Sequence, residues 1–218
     1  MISFVKGICF LLVSNFCISV SIQNINERKQ RAENQMVYNR LQWYFVVILE
    51  VLTLLLAIVI GFNKQITIFT EIQYCVVWIF LVSSAIFDIQ IRIIPNFIPL
   101  ALLGAKIILV ILQLIGKQIT WSDMIVNLFV AIICIIILLV ISKITHDGIG
   151  MGDVKLLAAI GFVLGLELLW AVLLLSSLLC LLVAIILLIS KTKTLKDSLP
   201  FAPFIMFGYM ISITLYIV

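Results

Sequence analysis

Long apolar runs separated by short polar segments dominate the chain. Most of these runs have the length of about 20 residues that a transmembrane helix requires. The pattern predicts an all-α polytopic membrane bundle of about eight transmembrane helices. We place them at roughly 2–22, 43–62, 68–87, 97–115, 124–144, 154–166, 168–189 and 201–218.

The sixth run is short and contains Gly161 and Gly165. It predicts either a half-buried helix or a segment that continues into the seventh run. Within the first run, Lys6 precedes an apolar stretch, as in a signal peptide. No small-residue cleavage site stands out after it, so we expect a retained helix.

Composition supports the membrane class. The 218 residues are 65% hydrophobic and 11% charged, whereas soluble domains are about 45–50% apolar and about 25% charged. The net charge of +4 is spread over short loops, and no basic patch indicates a nucleic-acid partner. Membrane orientation explains the charges better.

Lysine and arginine positions predict that orientation. With the N-terminus outside, ten of these residues fall in inner loops and three in outer loops, while Lys106 lies within a helix. The bias predicts that the loops 88–96 and 145–153 both face the cytoplasm. The inner residues are Arg28, Lys29, Arg31, Arg40, Arg92, Lys143, Lys155, Lys191, Lys193 and Lys196, and the outer ones are Lys6, Lys64 and Lys117.

Two parts of the chain are distinguished by function. Residues 1–42 comprise the first helix and a short basic cytoplasmic loop, and residues 43–218 form the membrane-embedded domain that carries the candidate chemistry.

The five cysteines lie in apolar runs without C-x-x-C spacing, which is typical of small buried side chains. Together with the single His146 they predict no metal site.

Two aspartates lie where membrane-length runs meet polar loops. Asp88 follows one apolar run, and Asp153 follows the Gly-rich segment 148–152. Acids next to hydrocarbon are costly and indicate function. Two carboxyl groups at one membrane surface can activate a water molecule and protonate a peptide carbonyl, which is the chemistry of an aspartic protease.

The flanking sequences suggest different roles for the two acids. Asp153 opens a helical run, where the helix dipole favours the ionised form, whereas Asp88 ends one. We therefore hypothesise that Asp153 is the base and Asp88 holds the proton. Pairing of Arg92 with Asp88 would oppose this assignment.

Other residues near the acids have a structural and a functional interpretation. Gly150 and Gly152 suit either a flexible turn or a space for an extended substrate peptide. Pro95 and Asn96 precede the fourth run, where a helix start is expected. The segment Leu199–Phe204, with Pro200 and Pro203, is either a helix start or an unwound element that faces the acid pair.

These motifs resemble those of the type IV prepilin peptidases, the bacterial GxGD membrane aspartic proteases. The matching blocks occur in order: Asp88 with Ile94-Pro95-Asn96, then Gly150-Met-Gly-Asp-Val-Lys155 with the apolar run after it, then Leu199-Pro-Phe-Ala-Pro203. Leu49-Glu50-Val-Leu-Thr53 also resembles a family segment. The resemblance covers about 43–210.

The resemblance implies cleavage of the basic leader from prepilins and pseudopilins at the cytoplasmic face of a bacterial cell membrane. It assigns catalysis to Asp88 and Asp153, with Gly150, Gly152, Lys155, Arg92, Pro95, Asn96, Pro200 and Pro203 as supporting residues. The peptidase activity needs no cofactor. S-adenosylmethionine is expected only if the N-methyltransferase activity of many members is retained.

The chain departs from many family members between its first two helices. Only about 20 residues without cysteine lie there, so no zinc-binding domain is expected, and methylation of the product stays open. Three alternatives also stay open: another GxGD protease such as a preflagellin-type peptidase, a small proton-coupled transporter with intramembrane acids, and a structural or inactive relative.

Overall fold

The computed structural model describes residues 67–116, 119–144, 150–191, 194 and 198–217. All regular structure in these ranges is helical. Six helices follow one another: α1 (Ile68–Ile91), α2 (Phe97–Ile115), α3 (Trp121–Ile144), α4 (Met151–Leu164), α5 (Leu166–Ile189) and α6 (Ala202–Ile217). The all-α prediction is confirmed over this part of the chain.

Six of the eight predicted runs correspond to these helices. The predicted runs 2–22 and 43–62, Glu50 and the division at residue 42 lie outside the described residues, so a total of about eight helices stays a prediction. Within the described ranges, α1, α2, α3 and α5 are long and apolar enough to cross a membrane. The chain is therefore a multi-pass membrane protein.

The central element is the short helix α4. It packs against α1, α2, α3 and α5, and every side chain from Leu156 to Val163 is buried. A helix that is apolar on all faces belongs in the interior of a bundle. Its 14 residues span about 21 Å, less than the hydrocarbon core of about 30 Å.

Gly165 separates α4 from α5. Its backbone has φ +80° and ψ −179°, a conformation that is essentially restricted to glycine. The N–H of Gly165 donates to the carbonyl of Gly161 at 2.9 Å and closes α4. Of the two interpretations of the sixth run, the separate short helix is therefore correct, and merging with the seventh is wrong.

Helices α3 and α5 present most of their large apolar side chains outward. The exposed isoleucines of α3 and leucines of α5 have exposed fractions from 37% to 72%. Such surfaces suit lipid, because lipid chains are as apolar as these side chains. The packed interior lies instead where α1, α2, α4 and α6 contribute side chains.

Helix α6 is anchored to α1 by aromatic residues. The hydroxyl of Tyr209 donates to the carbonyl of Tyr74 at 2.8 Å, and its ring stacks on Trp78 with a centroid separation of 6.4 Å. Tyr209 and Trp78 are fully buried. This anchor places the start of α6 beside the end of α1, where Asp88 lies.

Candidate active site

Asp88 lies one turn before the end of α1. The helix ends because Arg92 adopts φ +56°, and its backbone N–H donates to the carbonyl of Asp88 at 2.9 Å. Only glycine and, less often, asparagine or aspartate adopt this left-handed conformation routinely. The turn directs the chain away from Asp88 and leaves the carboxyl group at the helix end.

The carboxylate of Asp88 has a backbone partner from a distant part of the chain. Its Oδ2 accepts the N–H of Ala202 at 2.9 Å, one of the first amides of α6. Helix N-terminal amides lack intrahelical acceptors and carry partial positive charge. This contact stabilises the ionised form of Asp88 and offsets part of the cost of burying a side chain that is only 7% exposed.

Asp153 lies in the first turn of α4, as the sequence predicts. Its Oδ1 is buried and has no hydrogen-bond partner among the described residues. Burial, with a smaller contribution from the nearby charge of Asp88, raises the pKa of Asp153 from 3.8 to about 7. The environment of Asp153 therefore favours the protonated carboxyl group up to about pH 7.

This arrangement favours the opposite assignment to the role hypothesis drawn from helix ends, which stays a prediction. A helix N-terminus stabilises a carboxylate by about 1 kcal/mol, which is less than one pKa unit. The burial of Asp153 outweighs it. The anion-stabilising amide instead comes from Ala202 and reaches Asp88, so the contacts favour Asp88 as the ionised member of the pair.

Both acids line one pocket of about 1120 Å³. The pocket extends from the acids along the facing sides of α3 and α5, where its walls are mainly apolar. Arg92, Gly150 and the segment Ser198–Phe201 border it near the acids. The wall residues on the two helices are Val130, Ile133, Cys134, Ile137, Leu138 and Ile141 of α3, and Leu166, Leu169, Trp170, Leu173, Leu174, Ser177 and Cys180 of α5.

The segment Ser198–Phe201 is not helical, and α6 begins at Ala202. Of the two interpretations of this region, the unwound element near the acids is correct for residues 198–201, and the helix start is correct beyond them. Pro200 lines the pocket, whereas Pro203 is buried in the first turn of α6. The Arg92 guanidinium donates to Ser198 Oγ at 3.2 Å and connects this segment to the end of α1.

The remaining predicted support residues hold α4 against the start of α2. The ammonium of Lys155 donates to Asn96 Oδ1 at 2.9 Å, and the carbonyl of Pro95 accepts the N–H of Ile98 at 3.1 Å. A Cβ on Gly152 would lie 2.9 Å from the Cβ of Ile94. Glycine at 152 therefore allows the close approach that brings Asp153 to the pocket.

Sequence reasoning missed several residues of this site. The N–H of Ala202 has no side-chain signal, and the sequence around Ser198 does not indicate that this residue borders the acids. The apolar pocket walls cannot be recognised from the sequence either, because isoleucine and leucine on α3 and α5 are also the residues expected at lipid-facing positions. Only the direction of each helix face distinguishes Ile137, which lines the pocket, from its neighbour Ile136.

Residues 75–185 match the model of the type IV leader peptidase family. The match covers half of the chain, including both aspartates. The chain belongs to the type IV leader peptidase family. The family assignment confirms the resemblance identified from the motifs.

One curated relative is the prepilin leader peptidase/N-methyltransferase of Bacillus subtilis (strain 168). It is 35% identical over 132 residues, which are 61% of this chain and 51% of the relative. The chain thus aligns with about half the length of that relative. No solved structure matches the chain.

Proposed function

We propose that this chain is a membrane aspartic endopeptidase that removes the basic leader peptide from prepilin-like or pseudopilin-like proteins. The observation that carries the proposal is the pocket that contains both Asp88 and Asp153 at the end of an apolar channel between α3 and α5. Family membership and the Bacillus subtilis relative support the same activity.

The reaction divides between the two acids according to their surroundings. Asp88, ionised and held by the N–H of Ala202, accepts a proton from water as the water oxygen attacks the peptide carbonyl carbon. Asp153, protonated in its buried position, donates a proton to the carbonyl oxygen. The tetrahedral intermediate then collapses: the C–N bond breaks, and the amine leaves with the proton held by Asp88. One hydroxyl group of the intermediate becomes the product carbonyl and returns its proton to Asp153, so that both acids regain their starting forms.

The pocket walls suit a substrate with an apolar helix after the cleavage site. Such a helix would lie between α3 and α5, and its N-terminal end would reach the acids. The leader would extend past Arg92 and Ser198 toward the aqueous side. The positive-inside bias of the loops supports a cytoplasmic location for that side, and membership of the family supports a bacterial cell membrane as the location of the chain.

The peptidase reaction in this scheme uses water and two carboxyl groups without a cofactor or zinc. S-adenosylmethionine enters only if the released N-terminus is methylated. The relevant test is an added methyl mass on the cleaved product.

The test is co-expression with a prepilin-like substrate, followed by mass spectrometry of the intact substrate. We expect wild type to remove the leader, and Asp88→Asn and Asp153→Asn each to reduce cleavage by about 100-fold or more. Glu167→Gln, an exposed acid in the first turn of α5, is the matched control and should cleave normally. Full activity of either aspartate variant would overturn the two-acid mechanism.

A further inference from the structure

Lys106 is a buried lysine at the centre of an apolar helix. It is the tenth of the 19 residues of α2 and is 5% exposed. A lysine at the middle of a membrane span is costly and usually has a function. The two-acid mechanism makes no use of Lys106, which lies on a different helix from either acid.

The contacts of Lys106 converge on the end of α4. Its ammonium donates to Gln73 Oε1 at 2.8 Å and to the carbonyl of Val163 at 3.2 Å. Gln73 Nε2 donates to the same carbonyl at 2.6 Å. Three helices, α1, α2 and α4, therefore meet in one hydrogen-bonded cluster.

The position of Val163 explains why this carbonyl attracts such donors. It lies in the last turn of α4, where the break at Gly165 leaves carbonyl groups without intrahelical donors. The C-terminal end of a helix also carries partial negative charge, which a cation stabilises. Lys106 and Gln73 supply hydrogen-bond donors to the Val163 carbonyl at this helix end, inside the bundle, where water is scarce.

The opposite ends of the same helices carry the acids. Val163 is ten residues, or about 15 Å, from Asp153 along α4, and Gln73 is fifteen residues, or about 22 Å, from Asp88 along α1. A bond between Gln73 and Val163 thus fixes how far α4 can slide along α1. At the other end of α4, Lys155 bonds to Asn96 beside α2.

We propose that Lys106, Gln73 and the carbonyl of Val163 form a register clamp that sets the axial position of Asp153 relative to Asp88. Lys106 and Gln73 are positioning residues, since they act on the acids through α4. The inference rests on the proposed peptidase function for its kinetic test, but its geometric test does not depend on activity.

The kinetic test compares Lys106→Met with wild type. Methionine keeps the length and apolar stem of the side chain but removes every donor. We expect kcat to fall by about tenfold to 100-fold, because a displacement of about 1 Å between reacting groups has that effect, while KM changes less than twofold. Lys106→Arg keeps the charge and donors and should recover much of the loss.

The control is Lys143→Met, which removes an exposed lysine in the last turn of α3. It should leave kcat and KM unchanged. If Lys106→Met lowers only the melting temperature and leaves kcat intact, the lysine has a merely structural role and the clamp proposal is wrong.

A cross-linking test measures the geometry without a substrate. In a chain whose native cysteines are replaced by serine or alanine, Ile94→Cys and Gly152→Cys place two thiols beside Asp153. The Cβ of Ile94 and a Cβ at position 152 would lie 2.9 Å apart, about 1 Å closer than in a disulfide, so the two cysteines react after a local shift of about 1 Å. Rapid oxidation is expected with Lys106 present, and oxidation at least fivefold slower with Lys106→Met.

The two tests separate the possible failures. Wild type that cleaves no prepilin-like substrate, together with slowed cross-linking in Lys106→Met, would reject the proposed function and keep the clamp. Normal cleavage by wild type with equal cross-linking rates in both backgrounds would reject the clamp and keep the function.

Discussion

Asp153 is the residue whose surroundings most influence the proposed chemistry. The helix N-terminus favours its anion, but burial and the nearby Asp88 favour its neutral form and raise its pKa to about 7. Asp88 is also buried, but the N–H of Ala202 offsets part of the effect of burial by stabilising its anion. The two acids are thus differentiated by contacts from outside their own helices.

This difference predicts the pH dependence of cleavage. The acid role requires protonated Asp153, and a raised pKa means that the proton is retained up to about pH 7 and lost above it. Consequently kcat/KM for leader removal should decline as the pH rises through about 7. Glu167→Gln should give the same profile, whereas a rise in kcat/KM across this range would show that Asp153 is the base.

Among the helices, α4 has its length set by an abrupt C-terminus. Gly165 provides it with a backbone conformation that other residues rarely adopt, and a Cβ there would lie 3.1 Å from Asn127 Oδ1. The break exposes the carbonyl of Val163, to which Lys106 and Gln73 bond. The end of α4 therefore connects local backbone geometry to the position of Asp153.

Replacing Gly165 by alanine should destabilise the protein. The strained conformation costs of order 1–3 kcal/mol for a residue with a side chain, which should lower the melting temperature in detergent by several degrees. The matched control is Gly104→Ala in α2, where a Cβ would meet open space. Alanine there should be neutral or slightly stabilising, because it is a better helix former than glycine. Equal melting temperatures for the two variants would contradict the assigned backbone of Gly165.

At the scale of the molecule, the described helices form one compact unit from Ile68 to Tyr216. In this unit α4 is enclosed, and α3 and α5 contribute most of the pocket walls. The acids thus lie at one end of an apolar channel rather than on an open surface. This arrangement suits a substrate that is part membrane helix and part extended peptide.

A substitution in the channel should therefore discriminate between substrates. Ile137→Trp places a large ring in the pocket wall and should raise KM about tenfold for a full-length membrane substrate, while a short soluble peptide that spans only the cleavage site is cleaved as before. Ile136→Trp is the control. The two side chains are on the same helix and are similarly exposed, Ile136 at 56% and Ile137 at 47%. Of the two, only Ile137 lines the pocket. Similar kinetics for the two variants would argue against a substrate helix between α3 and α5.

The amino-acid sequence is enough to predict the helical class, because membrane-length apolar runs leave the backbone few alternatives to helices. It also located Asp88 at a helix C-terminus and Asp153 at a helix N-terminus, and it identified Leu199–Pro203 as a segment of interest. All of these depend on neighbours within a few residues. Local patterns of this kind are readable along one chain.

The surroundings of each acid and the way in which α4 is held depend instead on tertiary contacts. The amide that stabilises Asp88 comes from a residue 114 positions later, and Lys106 meets Val163 across 57 positions. Neither contact follows from hydropathy. A backbone N–H has no side-chain signature, and the sequence around an isolated lysine does not indicate which group it contacts. Burial and hydrogen bonding between distant helices set these properties, and the packing of the bundle alone brings those helices together.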